Sequence, residues 1–183
     1  MSKLLFAADV HGSAYWCKKL LEAFEKEGAN KLCLLGDLLY HGPRNDFPKD
    51  YCPREVFAML NAVKDRRVCV RGNCDSEVDQ MVLEFPMMAD YALLPTGTRN
   101  LFLTHGHLFN KDVLPPLQAG DVIFNGHFHT PEFTTLEGGV YYANCGSVSL
   151  PKDGTPHSYL VLDGNQLIWK DLSAGETFKE ISL

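Results

Sequence analysis

Apolar residues fall into two kinds of run along this chain. Lys3 to Ala8, Lys31 to Leu35 and Arg67 to Arg71 are nearly continuous apolar stretches, the pattern of a strand buried on both faces of a sheet. Between the first two, Cys17, Leu20, Leu21 and Phe24 are spaced i, i+3, i+4 and i+7. That is one face of a helix, with Ser13 as its N-cap and Gly28 as its stop. Pro53 opens a second helix with the same spacing at Val56, Met59, Leu60 and Val63. Two strand–helix–strand units result, and such right-handed crossovers set strand C-termini along one rim.

After residue 90 the pattern changes to short β-like runs: Tyr91 to Leu94, Leu101 to Thr104, Asp121 to Asn125, Phe133 to Leu136, Val140 to Ala143, Tyr159 to Asp163 and Gln166 to Lys170. Gly138-Gly139 and Gly164-Asn165 read as hairpin turns. Two sheets packed face to face with helices outside account for both halves. The longest irregular stretch is His41 to Cys52, and loops of that length often carry function.

A chain of 183 residues that is 45% hydrophobic and 22% charged predicts a single domain over 1–183 with a sizeable core. The net charge of -6 and the absence of a Lys/Arg cluster argue against general nucleic-acid binding. Six cysteines occur without a CxxC pair or regular spacing, so reduced thiols are expected. The N-terminal apolar stretch is short for a signal peptide and no run is long enough to span a bilayer, so the expected location is cytoplasmic and off the membrane. A homo-oligomer is compatible with the sequence.

The chemistry sits where the predicted strands run out. Asp9-Val10-His11, Gly36-Asp37, Gly72-Asn73, Thr104-His105-Gly106-His107 and Gly126-His127-Phe128-His129 follow in chain order. One parallel sheet would bring all of them to the same edge. The one-residue spacing within Asp9/His11 and His127/His129 puts each pair on the same side of an extended chain. Oxygen donors and imidazoles converging there describe a site for two divalent cations, whose usual chemistry is phosphate-ester hydrolysis.

In these motifs the chain resembles the calcineurin-like metallophosphoesterases, particularly the compact bacterial phosphodiesterases. Their pattern is D-x-H, G-D, G-N-H-[DE], a lone His, then G-H-x-H, and Asn144 to Pro151 resembles the family's N-P-G-S stretch. The resemblance implies an α/β fold, a four-layer α-β-β-α sandwich of two mixed sheets flanked by helices. It implies one metal on Asp9, His11 and His129, another on Asn73, His105 and His127, and Asp37 bridging both. Manganese is the first expectation for the cations, with zinc, nickel, iron and magnesium as alternatives, and a small phosphodiester is the expected substrate. Asn73, Cys74 and His105 are the expected catalytic residues.

Two cations about 3.5–4 Å apart can share a water and lower its pKa, supplying a bridging hydroxide to attack phosphorus in line. The departure from the pattern is Cys74, a thiol where relatives carry a histidine that can protonate the leaving oxygen. A thiol donates weakly, so substrates with good leaving groups are expected. Alternatively Cys74 only packs, and His107 or His41 supplies the proton. His157 reads as surface, Arg44 and Arg54 as solvated, and the loops 41–52 and 108–119 as the selectors of substrate. The competing readings are a protein-binding scaffold of the same fold, like the related retromer subunit, and a phosphomonoesterase; the filled ligand set argues against the scaffold.

Overall fold

Alternation along β1 (Leu4–Ala7) explains why its sequence is apolar throughout: Leu5 and Ala7 face a pair of helices, while Leu4 and Phe6 face a second sheet. The computed structural model describes residues 2–183. β1 runs parallel to β2 (Lys31–Leu34), which runs parallel to β3 (Arg67–Cys69). The crossovers are α1 (Ala14–Glu27) and α2 (Pro53–Ala62), the latter followed by a 3-10 turn at Lys64–Arg66. Ser13 caps α1 by accepting from the Trp16 amide, and Gly28 ends it in the left-handed conformation, as the sequence predicts. Cys17, Leu20 and Phe24 of α1 and Val56 and Leu60 of α2 pack with Leu5, Ala7, Leu32 and Leu34 in the first core cluster.

The first sheet has the order β11-β10-β9-β1-β2-β3, with β9 (Ser158–Asp163), β10 (Gln166–Asp171) and β11 (Thr177–Ser182) antiparallel. Gly164-Asn165 makes the predicted two-residue hairpin between β9 and β10. The sequence does not announce β11, because it is an edge strand whose residues are mostly exposed and whose alternation is weak. The four-residue helix α3 (Glu77–Gln80) is likewise too short for a periodic signal.

The second sheet has the order β4-β5-β6-β8-β7: β4 (Tyr91–Pro95), β5 (Asn100–Thr104), β6 (Val122–Asn125), β7 (Pro131–Thr135) and β8 (Tyr141–Cys145). β5, β6 and β8 are parallel and the two edges antiparallel, so both sheets are mixed, as the sandwich reading requires. Between the sheets Phe6 stacks on Phe124 with centroids 4.0 Å apart, and Trp169 lies fully buried. Both α1 and α2 cover the first sheet. Over the far face of the second, Phe102, Ile123 and Tyr142 are covered by Phe109 and Leu117 of an irregular segment. The loop 108–119 therefore serves packing. Among the described residues all six cysteines are free and no helix is long and apolar enough to cross a membrane.

The Phe6–Phe124 stack joins the two sheets, and both rings are fully buried. Phe124→Ala is expected to lower unfolding free energy by about 3–5 kcal/mol in urea titration; a loss below about 1 kcal/mol would contradict this account of the interface.

Candidate metal centre

Both sheets supply the site. Asp9 and His11 follow β1, Asp37 follows β2 and Asn73 follows β3, while His105 follows β5 and His127 and His129 follow β6 of the other sheet. The expectation of one parallel sheet is thus corrected: five strand ends from two facing sheets meet on a common rim. The spacing argument needs correction too. Asp9, His11, Asp37, His127 and His129 all have positive φ, between 48° and 67°, so these pairs are not extended and do not share a side by strand alternation. Each is in the sparsely populated left-handed region, which persists only where surrounding bonds over-determine it.

Those bonds are present. The amides of Asp9, His11 and Gly12 donate to the carbonyls of Gly36 (3.1 Å), Asp37 (2.9 Å) and Leu38 (2.9 Å), tying the first ligand loop to the second. The Asp9 carbonyl accepts from the Ser147 hydroxyl, the Ser149 hydroxyl and the Ser149 amide. Asn144 donates to the Gly126 carbonyl at 2.7 Å and accepts from the Gly146 amide at 2.9 Å. Glycines make the approach feasible: a Cβ on Gly72 would run into the Asp37 carboxylate, and one on Gly126 into Ala8 and Asp9.

All seven predicted ligand side chains converge. His11 Nε2 lies 3.4 Å from His129 Nε2 and 3.7 Å from both Asp9 Oδ1 and Asp37 Oδ2. His129 Nε2 lies 3.4 Å from Asp9 Oδ1. On the other side, His105 Nε2 is 3.0 Å from Asn73 Oδ1, 3.2 Å from His127 Nδ1 and 3.5 Å from Asp37 Oδ2. Asp37 is shared between the two groups.

The outer ring nitrogens explain the aim. Nδ1 of His11, His105 and His129 meets the carbonyls of Tyr40 (2.8 Å), Leu35 (2.7 Å) and Leu150 (2.6 Å). A carbonyl only accepts, so each Nδ1 carries a proton and each ring turns its Nε2 inward. Ring nitrogens that close repel unless a proton or a cation lies between them, and Asp9 Oδ1 is buried with no hydrogen-bond partner. Asp9, His11 and His129 lie close enough to hold a metal ion, as do Asp9, Asp37 and His105, and also His11, Asp37 and Cys74, so that both carboxylates belong to more than one group. Oxygen and imidazole donors suit a catalytic divalent cation.

Burial disfavours charge on these groups, and their neighbours decide the outcome. His129 holds the Asp9 carboxyl below the usual carboxylate range despite burial, and His105 and His11 do so for Asp37. Buried His105 is nevertheless raised to about 9 by Asp37, whereas His127, desolvated and beside His105, falls to about 4. Counting the protein's own charges alone, His105 holds a proton that a cation would have to displace.

Burial and the Asp37 carboxylate push the Cys74 thiol up to about 12. Its backbone amide donates to Asp37 Oδ1 at 2.8 Å, and the Asn73 side-chain amide donates to its sulfur at 3.2 Å. Asp75 accepts from the amides of Asp37 (2.8 Å), Leu38 (2.9 Å) and Gly72 (2.8 Å), joining the loops after β2 and β3. Burial and the Asp37 charge raise it to about 6.

A cleft of about 700 Å³ opens over these donors, lined also by Tyr40, Gly42, Pro43, Arg44, Asn45, Cys74 and Lys152. Arg44, read from sequence as solvated, faces this cleft, and Lys152 was not singled out at all: no motif marks it, since it enters only through its fold position after the Asn144–Pro151 segment. Arg54, His41 and His107 are not among the lining residues. The His41 ring packs among Tyr40, Phe47 and Tyr51. His107 lies beside His105, with centroids 5.4 Å apart, and its Nδ1 is buried without a partner. His157 is not a free surface group: it stacks on Trp16 at 3.6 Å and its Nδ1 meets the Val148 carbonyl.

Residues 2–166 match the description of the calcineurin-like phosphoesterase superfamily domain. The chain is 48% identical over 167 residues to phosphodiesterase YfcE of Escherichia coli K12, covering 91% of this chain and 90% of that protein. The solved structure of YfcE, described as a phosphoesterase from E. coli, superposes with a TM-score of 0.95 at 44% identity over 98% of both chains. Vps29 of Chaetomium thermophilum shares the fold alone, with a TM-score of 0.64 at 15% identity over 99% of this chain and 97% of that one.

Asp75→Asn leaves one acceptor oxygen for three amides of the ligand loops. The expected cost is about 3 kcal/mol in urea unfolding; a change under about 1 kcal/mol would mean that the carboxylate is not the tie between these loops.

Proposed function

Because the chain belongs to the calcineurin-like phosphoesterase superfamily, we propose that it is a metal-dependent phosphodiesterase with a dinuclear centre. The observation that carries this reading is the grouping of donors into two sets sharing Asp37. Asp9, His11 and His129 would hold one cation and Asn73, His105 and His127 the other, with Asp37 within reach of both sets. Manganese is the first candidate.

Two bound divalent cations would polarise the phosphoryl oxygens and lower the pKa of a shared water far enough to provide hydroxide near neutral pH. The protein's residues do the rest. Asp9 and Asp37 together carry about two negative charges against about four on the cations, which leaves a centre that attracts a phosphodiester anion. Carbonyl-anchored imidazoles keep the donors fixed, so little reorganisation accompanies the reaction. Asn73 lines the cleft, and its side-chain amide, which donates to the Cys74 sulfur, is a donor available to charge building on the phosphoryl oxygens.

In the family pattern Cys74 takes the position of the leaving-group acid, and its protonated thiol is a weak donor. Neither His107 nor His41 lines the cleft. The enzyme therefore prefers diesters whose leaving groups depart without protonation, such as aryl or otherwise activated ones. The scaffold reading gains no support from the Vps29 likeness, which concerns the fold only, and the donor set here is full.

Chelation followed by dialysis is expected to abolish hydrolysis of bis(p-nitrophenyl) phosphate, and added manganese to restore it. Asp37→Asn should lower kcat at least about 100-fold, because the shared ligand is lost. Full activity in the chelated protein would end the metal-dependent reading. Cys74→His is expected to raise rates on alkyl diesters by about 10²-fold and on aryl diesters much less. Equal gains on both series would remove the leaving-group argument.

A further inference from the structure

We infer that the cleft selects phosphodiesters whose second organic arm carries a further negative charge, with Arg44 and Lys152 as the residues that recognise it. This inference rests on the diesterase reading and adds the substrate class.

The charge pattern points there. The chain carries a net charge of -6, yet among the described residues the only carboxylate lining the cleft is Asp37, which is assigned to the proposed metal centre. Arg44 and Lys152 line the same cleft, and among the described residues neither lies within 4 Å of a carboxylate. About +4 on the cations, about -2 on Asp9 and Asp37 and about -1 on the hydroxide would leave about +1, which a monoanionic diester already balances. Two additional cations at the rim are then available to a second anionic group, and the cleft is far larger than one phosphate.

The two side chains are also mounted on fixed backbone. The Lys152 amide donates to the His129 carbonyl at 3.2 Å, and its own carbonyl accepts from the Thr155 amide at 3.0 Å and hydroxyl at 2.7 Å. Arg44 sits in a turn closed by the Asn45 amide on Gly42 and the Asn45 side chain on the His41 carbonyl. The turn is anchored where the Tyr40 carbonyl accepts from His11. Each cation thus hangs from a segment tied to a proposed ligand histidine. A planar guanidinium and an ammonium facing one space suit a carboxylate or a second phosphate.

The test compares p-nitrophenyl phosphodiesters that share a leaving group and differ in the second arm: ethyl, choline or 2-carboxyethyl. The manganese-loaded protein is expected to show kcat/KM for the carboxyethyl ester about five- to tenfold above the ethyl ester, with the choline ester lowest. The preference should shrink at high ionic strength. It should fall within about twofold in the Arg44→Ala/Lys152→Ala variant and survive in Arg44→Lys/Lys152→Arg. Calorimetric titration with 3-phosphonopropionate and n-propylphosphonate provides a readout that needs no turnover, and the double alanine variant should lose the tighter binding of the former. Equal or faster hydrolysis of the choline ester, or a preference that persists in the double alanine variant, would overturn the inference. Failure to hydrolyse any of the three esters would instead count against the diesterase reading, while the phosphonate titration would still decide the role of the two cations.

Discussion

Two carboxylates, Asp9 and Asp37, are held almost completely out of water beside the same imidazoles, and much of the surrounding structure makes that burial tolerable. A buried carboxylate is costly unless charge or hydrogen bonds compensate it. Here Asp37 receives the Cys74 amide and Asp9 the His127 amide, but one oxygen of Asp9 has no protein hydrogen bond at all. The loops, glycines and serines around the rim bring these anions and the inward ring nitrogens of three histidines into one space. That concentration of groups is intelligible as a cation-binding centre, where a bound metal would add to the compensation that the imidazoles already give the carboxylates.

The first half of the fold was legible because helical and continuous-apolar periods are both strong signals when a sheet is covered on two faces. β1, β2 and the helices between them came from residues such as Leu20, Phe24, Val56 and Leu60, which do what their spacing says. β11 was not legible, since Thr177–Ser182 forms an edge with little burial to impose a pattern. The loop 108–119 was misjudged for a related reason: its polar and apolar residues mix without period, and only tertiary packing of Phe109 and Leu117 shows that it covers a sheet.

The ligand residues themselves were legible by type, through the short motifs, but not by conformation. Extended spacing seemed sufficient to align Asp9 with His11, whereas the chain turns through left-handed residues that sequence rules assign to glycine or asparagine. Nor could local pattern reveal Lys152 or the cleft-facing position of Arg44, because each depends on where a distant loop comes to rest. No pattern in the sequence announces that Asp75 accepts from three backbone amides of the ligand loops.

The strand ends that meet at the rim are separated by as many as 120 positions along the chain, from Asp9 to His129, and the Asp9 carbonyl is secured by Ser149, later still. Closing so long a loop is slow and comes late in folding. Neither half of the polypeptide carries the full donor set: Asp9, His11, Asp37 and Asn73 come from the first, and His105, His127 and His129 from the second. Capture of a cation by the full set would consequently follow docking of the two sheets and would add stability only to the completed molecule, about 2.7 kcal/mol for each bound ion when free ion stands at a hundred times its dissociation constant. Metal supply would then govern how long a finished chain persists more than how quickly it forms.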